Sequence, residues 1–400
     1  MAHFSFIHAA DLHLDTPFSA VSCDGREATF RAYDRVIDAC LEHRVDALLI
    51  AGDVFDSTEK SLRAQIRFVQ GLEKLASARI QIFVVHGNHD PLDGWYASLR
   101  MPPNVHVFRE RVETCELRRD GELLARIAGV SHPKKKEVRN LARLFPERQG
   151  DAFHIGLLHC NVGGETGHEA YAPCEIDDLR RAGYDYWALG HVHEKRIFSR
   201  LPWVVYSGNT QGRSIREKGA RGCYLIEVER NAVAGEPRFL ETDAVRWLAA
   251  QVDATAFDSL DDLRTALIAR CEELPSSIVR FTVTGRSSLY TDLDRAGTPD
   301  DLLLALREQA GLLQHPVWVE SLEFSLGPEI DLAARKRNSD FLGDLLNCAD
   351  LLTAGDLRRE LEPLFRRHRY LDMPNDEELQ QLAREAQWLC ADLLTRGEAV

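Results

Sequence analysis

LLIAGDVFD, residues 48–56, is an apolar run that breaks at Gly52 into an aspartate and, three residues later, a second one. The stretch from Asp46 to Ala51 reads as a β-strand with consecutive apolar residues (Ala47, Leu48, Leu49, Ile50). A strand apolar on both faces is expected where helices or another layer cover it from both sides. Working outward, Phe4 to Ala9 is a short apolar strand. Arg26 to His43 is a helical stretch with apolar positions at Phe30, Tyr33, Val36, Ile37 and Cys40. Glu59 to Ala76 reads as a second helix and Ile80 to Val85 as a third strand, ending in FVVHGNHD, residues 83–90. This βαβαβ order predicts a layered α/β core. Further strand-like runs follow at Val105–Phe108, Leu123–Val130, His154–His159, Tyr186–Leu189, Trp203–Tyr206 and Cys223–Val228.

The chain has 400 residues, too long for one ordinary core and comfortable for two or three. With 44% hydrophobic and 28% charged residues it has a soluble globular balance. No apolar run reaches the roughly 18 residues that span a bilayer, so no membrane partner is expected. MAHFSFIHAADLHLD lacks a basic n-region and does not read as a signal peptide. Nine scattered cysteines, an odd number with no C-x-x-C pair, fit reduced thiols in a cytoplasm and argue against thiolate metal sites. The net charge of −14 argues against a generally basic nucleic-acid surface. It does not exclude nucleic acid as substrate, because bound divalent cations reverse the local field of an acidic site.

Composition changes near Arg246: thirteen of the fifteen histidines precede residue 200. Three parts are expected. Residues 1–250 form the first. Residues 251–328 form a small α+β module, read as helix Leu260–Cys271, strand Ile278–Thr284, helix Pro299–Ala310 and strand Val317–Phe324. Residues 329–400 form a helical C-terminal region whose last helix opens at Asn375, with Glu378 placed for a capping box. Its stripe of Leu379, Leu382, Ala386, Leu389 and Leu393 is more often core than partner surface.

Polar clusters sit where the strands end. Asp11 and His13 follow the first strand, Asp53 and Asp56 the second, and Asn88, His89 and Asp90 the third. His159 ends IGLLHC, and His191 and His193 follow the run YWALG. In open α/β sheets, ligand sites gather beyond the carboxyl ends of strands, so these side chains are expected to converge. Carboxylates, imidazoles and one amide oxygen without thiolates suit Mn²⁺, Fe²⁺ or Zn²⁺. The set Asp11, His13, Asp53, Asn88, His159, His191 and His193 is too large for one ion and right for two. The glycines before Asp53, Asn88 and His191 are expected to let the backbone turn sharply toward the cleft. Singly, a GD pair after a strand is most often a turn, and His8, His43, His86 and His106 read as ordinary histidines. Jointly, the ordered set D-x-H, G-D-x-x-D, G-N-H-D, H, G-H-x-H leaves little room for coincidence.

That ordered set resembles the calcineurin-like metallophosphoesterase superfamily over roughly residues 4–210. GDVFD and GNHD look like the nuclease branch. The segments FIHAADLHLDTPF, GLLHCNVGG and YSGNTQGR are similar to SbcD-like bacterial DNA repair exonucleases, specifically the YhaO-like proteins. The resemblance implies an α/β fold with a layered β-sandwich core flanked by helices, a smaller α+β capping domain and a helical C-terminus. It implies one ion held by Asp11, His13 and His193, and a second by Asn88, His159 and His191, with Asp53 bridging. His89 would be the general acid, Asp56 would orient it, and Asp90 would support the ligands. It further implies manganese-dependent hydrolysis of DNA phosphodiesters, an SMC-like ATPase partner and frequent homodimerisation.

Lys134, Lys135 and Lys136 form a compact basic run near the expected cleft. They, with Arg213 and Arg216, are candidates for DNA contact, although three lysines are usually a solvated surface. His132 and His168 carry no assigned role. Two other readings stand beside the nuclease. A smaller phosphodiester or phosphomonoester as substrate is favoured slightly by the acidic charge. A catalytically silent adaptor of the ATPase is opposed by the complete ligand set and the presence of His89.

Overall fold

The computed structural model describes residues 3–18, 24–56, 61–94, 96, 99–164, 171–367 and 373–396. Glu59 and Lys60 of the expected second helix, His168 and His368 lie outside them. By contacts the chain divides into two compact units: Met1–Ala249 with Ser276–Val279, and Ala250–Pro275 with Arg280–Val400.

In chain order the first unit contains β1 (His3–Ala9), α1 (Gly25–Glu42), β2 (Ala47–Ala51), α2 (Leu62–Ser77), β3 (Gln81–Val85) and β4 (Val105–Val107). It continues with β5 (Glu113–Arg119), β6 (Glu122–Val130), β7 (Phe153–His159), α3 (Ile176–Arg181), β8 (Tyr186–Gly190), β9 (Arg196–Arg200) and β10 (Trp203–Tyr206). It closes with β11 (Gly222–Glu229), β12 (Ala232–Val233) and β13 (Arg238–Glu241). Among the described residues the strands form two sheets of this unit. One runs β12-β11-β1-β2-β3-β4, with β13 also paired to β11; the other runs β5-β6-β7-β8-β10-β9. β1 to β4 are mutually parallel, and so are β6, β7, β8 and β10.

The unbroken apolar strands are explained by two buried faces. Alternate residues point opposite ways. Ile7, Leu48, Ile50, Ile82 and Val84 pack with Phe30, Tyr33 and Val36 of α1 and Phe68 and Leu72 of α2. Phe4, Phe6, Leu49, Phe83 and Val85 pack instead against Ile127, Ile155, Leu157, Tyr186 and Val205 of the second sheet. Fully burying each such Phe, Leu or Ile contributes about 1.5–3 kcal/mol. The outer face of the second sheet buries Leu158, Trp187, Leu189 and Tyr206 with Leu179 of α3. The result is a sandwich of two sheets with α1 and α2 outside the first. Caps fix where those helices begin. The Asp24 side chain accepts from the Glu27 N–H, and the Ser61 side chain from the Ala64 N–H.

β5 escaped the sequence reading for a physical reason. It is an edge strand whose only buried residue is Leu117, so its polar sequence ETCELRR carries no core signal.

The second unit holds most of a three-stranded sheet, β14 (Arg246–Asp253), β15 (Ser277–Arg286) and β16 (Val317–Gly327). With it go α4 (Leu260–Glu272), α5 (Leu289–Leu293) and α6 (Thr298–Ala310). α4 starts on a Ser259–Asp262 capping box and buries Leu263, Leu267 and Cys271. Then come α7 (Leu332–Arg335), α8 (Phe341–Asp350), α9 (Ala354–Arg367) and α10 (Asp376–Arg396). The Asn375 side chain accepts from the Glu378 N–H, and the Glu378 carboxylate accepts from the Asn375 N–H, as the capping-box spacing predicts. The leucine stripe of α10 requires correction. Leu379 is buried, but Leu382, Ala386, Leu389 and Leu393 are exposed. The buried residues are Leu379, Gln387, Ala391 and Asp392, and small Ala391 packs against Leu342 and Leu346 of α8. No helix among the described residues is long and apolar enough to cross a membrane.

Candidate metal centre

The loops after β1, β2 and β3 are stitched side by side. The N–H groups of Asp11, His13 and Leu14 donate to the carbonyls of Gly52 (3.0 Å), Asp53 (3.1 Å) and Val54 (2.9 Å). Asp90, wholly buried, accepts from the Val54 N–H (2.9 Å) and the Gly87 N–H (2.8 Å), so it joins the second loop to the third. From the other sheet, His159 ends β7, where it pairs with Gly190 at the end of β8. The His191 N–H donates to the Asp11 carboxylate at 3.1 Å, and the Asn209 N–H to the His193 carbonyl at 3.1 Å.

The sharp turns fall mostly on the polar residues rather than on the glycines. Asp11, His13, Asp53 and His191 have φ of 52°, 43°, 50° and 100°, left-handed backbone that costs of order 1–3 kcal/mol each and is concentrated at functional sites. Of the three glycines, only Gly52 has positive φ (96°). Gly87 and Gly190 are there for space. A Cβ at Gly87 would meet Asp53 Oδ1 at 2.3 Å, and one at Gly190 would meet the Ala51 carbonyl at 2.0 Å.

The seven expected ligands do converge. His13 Nε2 lies 3.2 Å from His193 Nε2, which is 3.8 Å from Asp11 Oδ1. Asn88 Oδ1 lies 3.0 Å from His159 Nε2 and 3.1 Å from His191 Nδ1. Asp53 Oδ2 is 3.4 Å from His159 Nε2 and 4.0 Å from His13 Nε2, between the two sets. Donor groups Asp11–His13–His193 and Asp11–Asp53–His159 are each close enough to hold one ion. A third such group, His13–Asp56–His89, was not expected.

Proton positions, assigned from the partners, test the fit. Asp56 Oδ1 lies 2.9 Å from His13 Nδ1, and Glu217 Oε1 lies 2.8 Å from His193 Nδ1. Carboxylates only accept, so His193 Nδ1 carries hydrogen and its Nε2 presents a lone pair, whereas His13 Nδ1 lies close to Asp56 without a hydrogen bond to it. That lone pair faces His13 Nε2 at 3.2 Å, and the two nitrogens with Asp11 form a donor group of the size that holds a cation. In the second set, His159 Nδ1–H donates to the Ala51 carbonyl at 2.9 Å, leaving Nε2 turned to the carbonyl oxygen of Asn88. Burial lowers the His159 pKa, but the Asp53 and Asp11 carboxylates outweigh it and push it up to about 9, so positive charge is favoured there too. His13 is held neutral: burial, then Arg213, lowers it to about 3. Burial raises Asp11, while Asp53 stays well below the usual range because His159 and His13 outweigh its burial. The residues present fit divalent cations.

His89 stands beside this cluster, about a third exposed, with its N–H donating to Asp53 Oδ1 (2.9 Å) and its Nδ1–H to the Asp56 carbonyl (2.9 Å). Asp56 Oδ1 is 3.6 Å from His89 Nδ1 and closer to His13, so it serves both histidines. Arg213, expected as a DNA contact, is instead engaged with Asp56 Oδ1 (2.8 Å) and Glu217 Oε1 (3.2 Å). Arg216 and Lys134, Lys135 and Lys136 are exposed, the lysines in the loop after β6. His132, without a role in the sequence reading, is buried, its Nε2–H donating to the His159 carbonyl (2.8 Å). Glu217 and Arg221, whose guanidinium donates to the His193 and Glu217 carbonyls, escaped the sequence reading.

Over 97% of both chains, the protein is 35% identical to the uncharacterized metallophosphoesterase YhaO of Bacillus subtilis (strain 168). The chain belongs to the calcineurin-like metallophosphoesterases of the YhaO type. The calcineurin-like phosphoesterase model matches residues 4–195, which contain every expected ligand, and the model for the middle domain of metallophosphoesterase YhaO matches residues 247–327. The DNA double-strand break repair protein Mre11 of Sulfurisphaera tokodaii is 28% identical over 50% of this chain and 51% of its own. A component of the nuclease SbcCD of Bacillus subtilis is 24% identical over 64% of this chain and 75% of its own. As a metallophosphoesterase with these His/Asp groups, the chain is a hydrolase built for divalent metal.

Proposed function

We propose that this metallophosphoesterase hydrolyses DNA phosphodiesters, as an exonuclease with some endonuclease capacity, in DNA repair alongside an SMC-like ATPase. The observation that carries the reading is the convergence of the seven expected ligands with His89 at their exposed edge. The relatives named as a DNA repair protein and a nuclease component support the choice of DNA. Asp11, His13 and His193 would hold one ion and Asn88, His159 and His191 the other, with Asp53 shared. Two divalent ions, manganese first and iron or zinc as alternatives, supply an activated water nucleophile and neutralise phosphoryl charge.

The chain's own residues do the rest. His89 keeps Nδ1–H on the Asp56 carbonyl, which leaves Nε2 to hold the proton given to the departing sugar oxygen. Asp90 fixes the distance between the Asp53 and Asn88 loops through two buried N–H groups. Lys134, Lys135, Lys136 and Arg216 are the exposed cations offered to DNA phosphates. Residues 251–328 act as a capping domain, a reading supported by the middle-domain match, and residues 329–400 as a separate helical region. The exposed leucines of α10 suit contact with the ATPase or with a second copy of the chain. Free thiols at every described cysteine suit a cytoplasmic protein.

The test is cleavage of end-labelled duplex and single-stranded DNA with manganese, with His89→Ala run alongside. The native protein should release label and the variant should not, with the variant's bound manganese unchanged. Turnover of bis-p-nitrophenyl phosphate without DNA cleavage would move the substrate to a smaller phosphodiester.

A further inference from the structure

We infer that Glu217 is a positioning residue that sets the proton on His193 and thereby makes it a ligand, and that Arg213 ties this pair to Asp56, His13 and His89. The inference rests on the metal reading above and names residues outside the ligand set; Glu217 lies beyond the matched residues 4–195.

The contacts form a closed ring. His13 Nδ1 meets Asp56 Oδ1 at 2.9 Å, and Asp56 Oδ1 meets an Arg213 nitrogen at 2.8 Å. A second Arg213 nitrogen meets Glu217 Oε1 at 3.2 Å, and Glu217 Oε1 meets His193 Nδ1 at 2.8 Å. The Nε2 atoms of His193 and His13 close the ring at 3.2 Å. His193 is thus oriented by a carboxylate, Asp56 lies against His13 without a hydrogen bond to its Nδ1, and one guanidinium holds both carboxylates. In the second set His159 is oriented by a neutral carbonyl, that of Ala51. A carboxylate partner raises imidazole basicity and fixes its tautomer, and losing such a partner typically costs 10–100-fold in metal affinity.

The two oxygens of Glu217 have separate tasks. Oε2 accepts from Asn209 Nδ2 (2.8 Å) and from the Arg213 N–H (2.8 Å), and so shapes the 209–217 loop. Oε1 faces His193 and the Arg213 guanidinium. Arg213 also comes within 3.2 Å of His193 Nδ1, but the shorter carboxylate contact decides that this nitrogen donates. Glu217→Gln separates the tasks. With its oxygen kept for Asn209 and the Arg213 N–H, its amide nitrogen must donate to His193 Nδ1. The imidazole proton then moves to Nε2, where it blocks coordination, while the loop keeps its acceptor.

The experiment is manganese titration of the full chain, with free Mn²⁺ followed by electron paramagnetic resonance, beside melting of the metal-free protein. Native protein and Glu194→Gln, which removes an exposed charge nearby, should each take up two ions. Glu217→Gln should weaken one binding step by about 10–100-fold and leave the other unchanged, with metal-free melting little altered. Arg213→Ala should also weaken that step, although removing a cation would by simple charge strengthen it. Two unchanged steps in Glu217→Gln, equal weakening of both, or tighter binding in Arg213→Ala would overturn the role of Glu217 and its brace. Native protein that binds no manganese would overturn the metal reading itself.

Discussion

Gly87→Ala is the sharpest probe of the centre, because Gly87 needs no glycine backbone and is glycine only for room. Its φ is not in the left-handed region, so alanine brings no backbone strain. The added Cβ would sit 2.3 Å from Asp53 Oδ1, 2.7 Å from His159 Nε2 and 2.8 Å from His159 Cδ2. Ordinary contacts are near 3.5 Å, so both side chains must retreat by on the order of 1 Å. Neither has slack. Asp53 holds the His89 N–H, His159 holds the Ala51 carbonyl, and both are buried. Overpacking of this kind costs about 1–3 kcal/mol, and at about 2–4 °C per kcal/mol for a unit this size the metal-free melting temperature should fall by roughly 2–12 °C. A 1 Å displacement of a reacting group costs on the order of 100-fold in rate. Turnover of bis-p-nitrophenyl phosphate with saturating manganese should therefore fall about 100-fold at a temperature where the variant is folded. Turnover within about twofold of native would refute the claim that Asp53 and His159 flank the reaction.

Asp53→Asn should lower occupancy at both ion sites, and unchanged metal content by elemental analysis would remove its shared position. Asp90→Ala leaves the buried N–H groups of Val54 and Gly87 without acceptors, at about 1–3 kcal/mol each. Urea unfolding should show a loss of about 2–6 kcal/mol, and a loss below about 1 would show that water replaces the carboxylate. Acid should destabilise the fold through His8, whose pKa burial lowers to about 3 against an ordinary 6.5. The unfolded chain takes up this proton near pH 6.5 and the folded chain does not, so the contribution is whole above 6.5 and is lost as pH falls toward 3. Native protein should lose melting temperature more steeply between pH 6.5 and 4 than His8→Gln, and parallel curves would refute the assignment.

The interior of the fold was legible because its strands are buried twice over. Leu48 and Ile50 face α1 and α2 while Leu49 faces the second sheet, so no polar residue interrupts the run. The same logic hides the rims. β5 buries only Leu117 fully and is held by backbone pairing to β6, which leaves no periodic trace. On α10 the leucines gave a true helical period but the wrong face, since period does not say which stripe a neighbour covers. Small Ala391 allows α8 to approach, and the larger leucines stay outside.

At the centre, the ligands were legible because each stands at a strand end or within four residues past one, and parallel strands deliver their ends to one side. What orients the ligands was not. Glu217 lies 24 residues after His193 on a short 3-10 turn, and its carboxylate reaches Nδ1 only because β11 returns beside β1 and carries the preceding loop with it. The tie is visible in three dimensions alone: Ala10 bridges to Asn209, and Asn209 donates to Glu217. Spacing can reveal groups that share a strand end. A side chain brought back by a long return connection has no spacing to read. The strand-end motifs therefore mark where cations would sit, whereas Glu217, braced by Arg213, sets the proton position on His193 that admits one of them, and the two can be separated by Glu217→Gln.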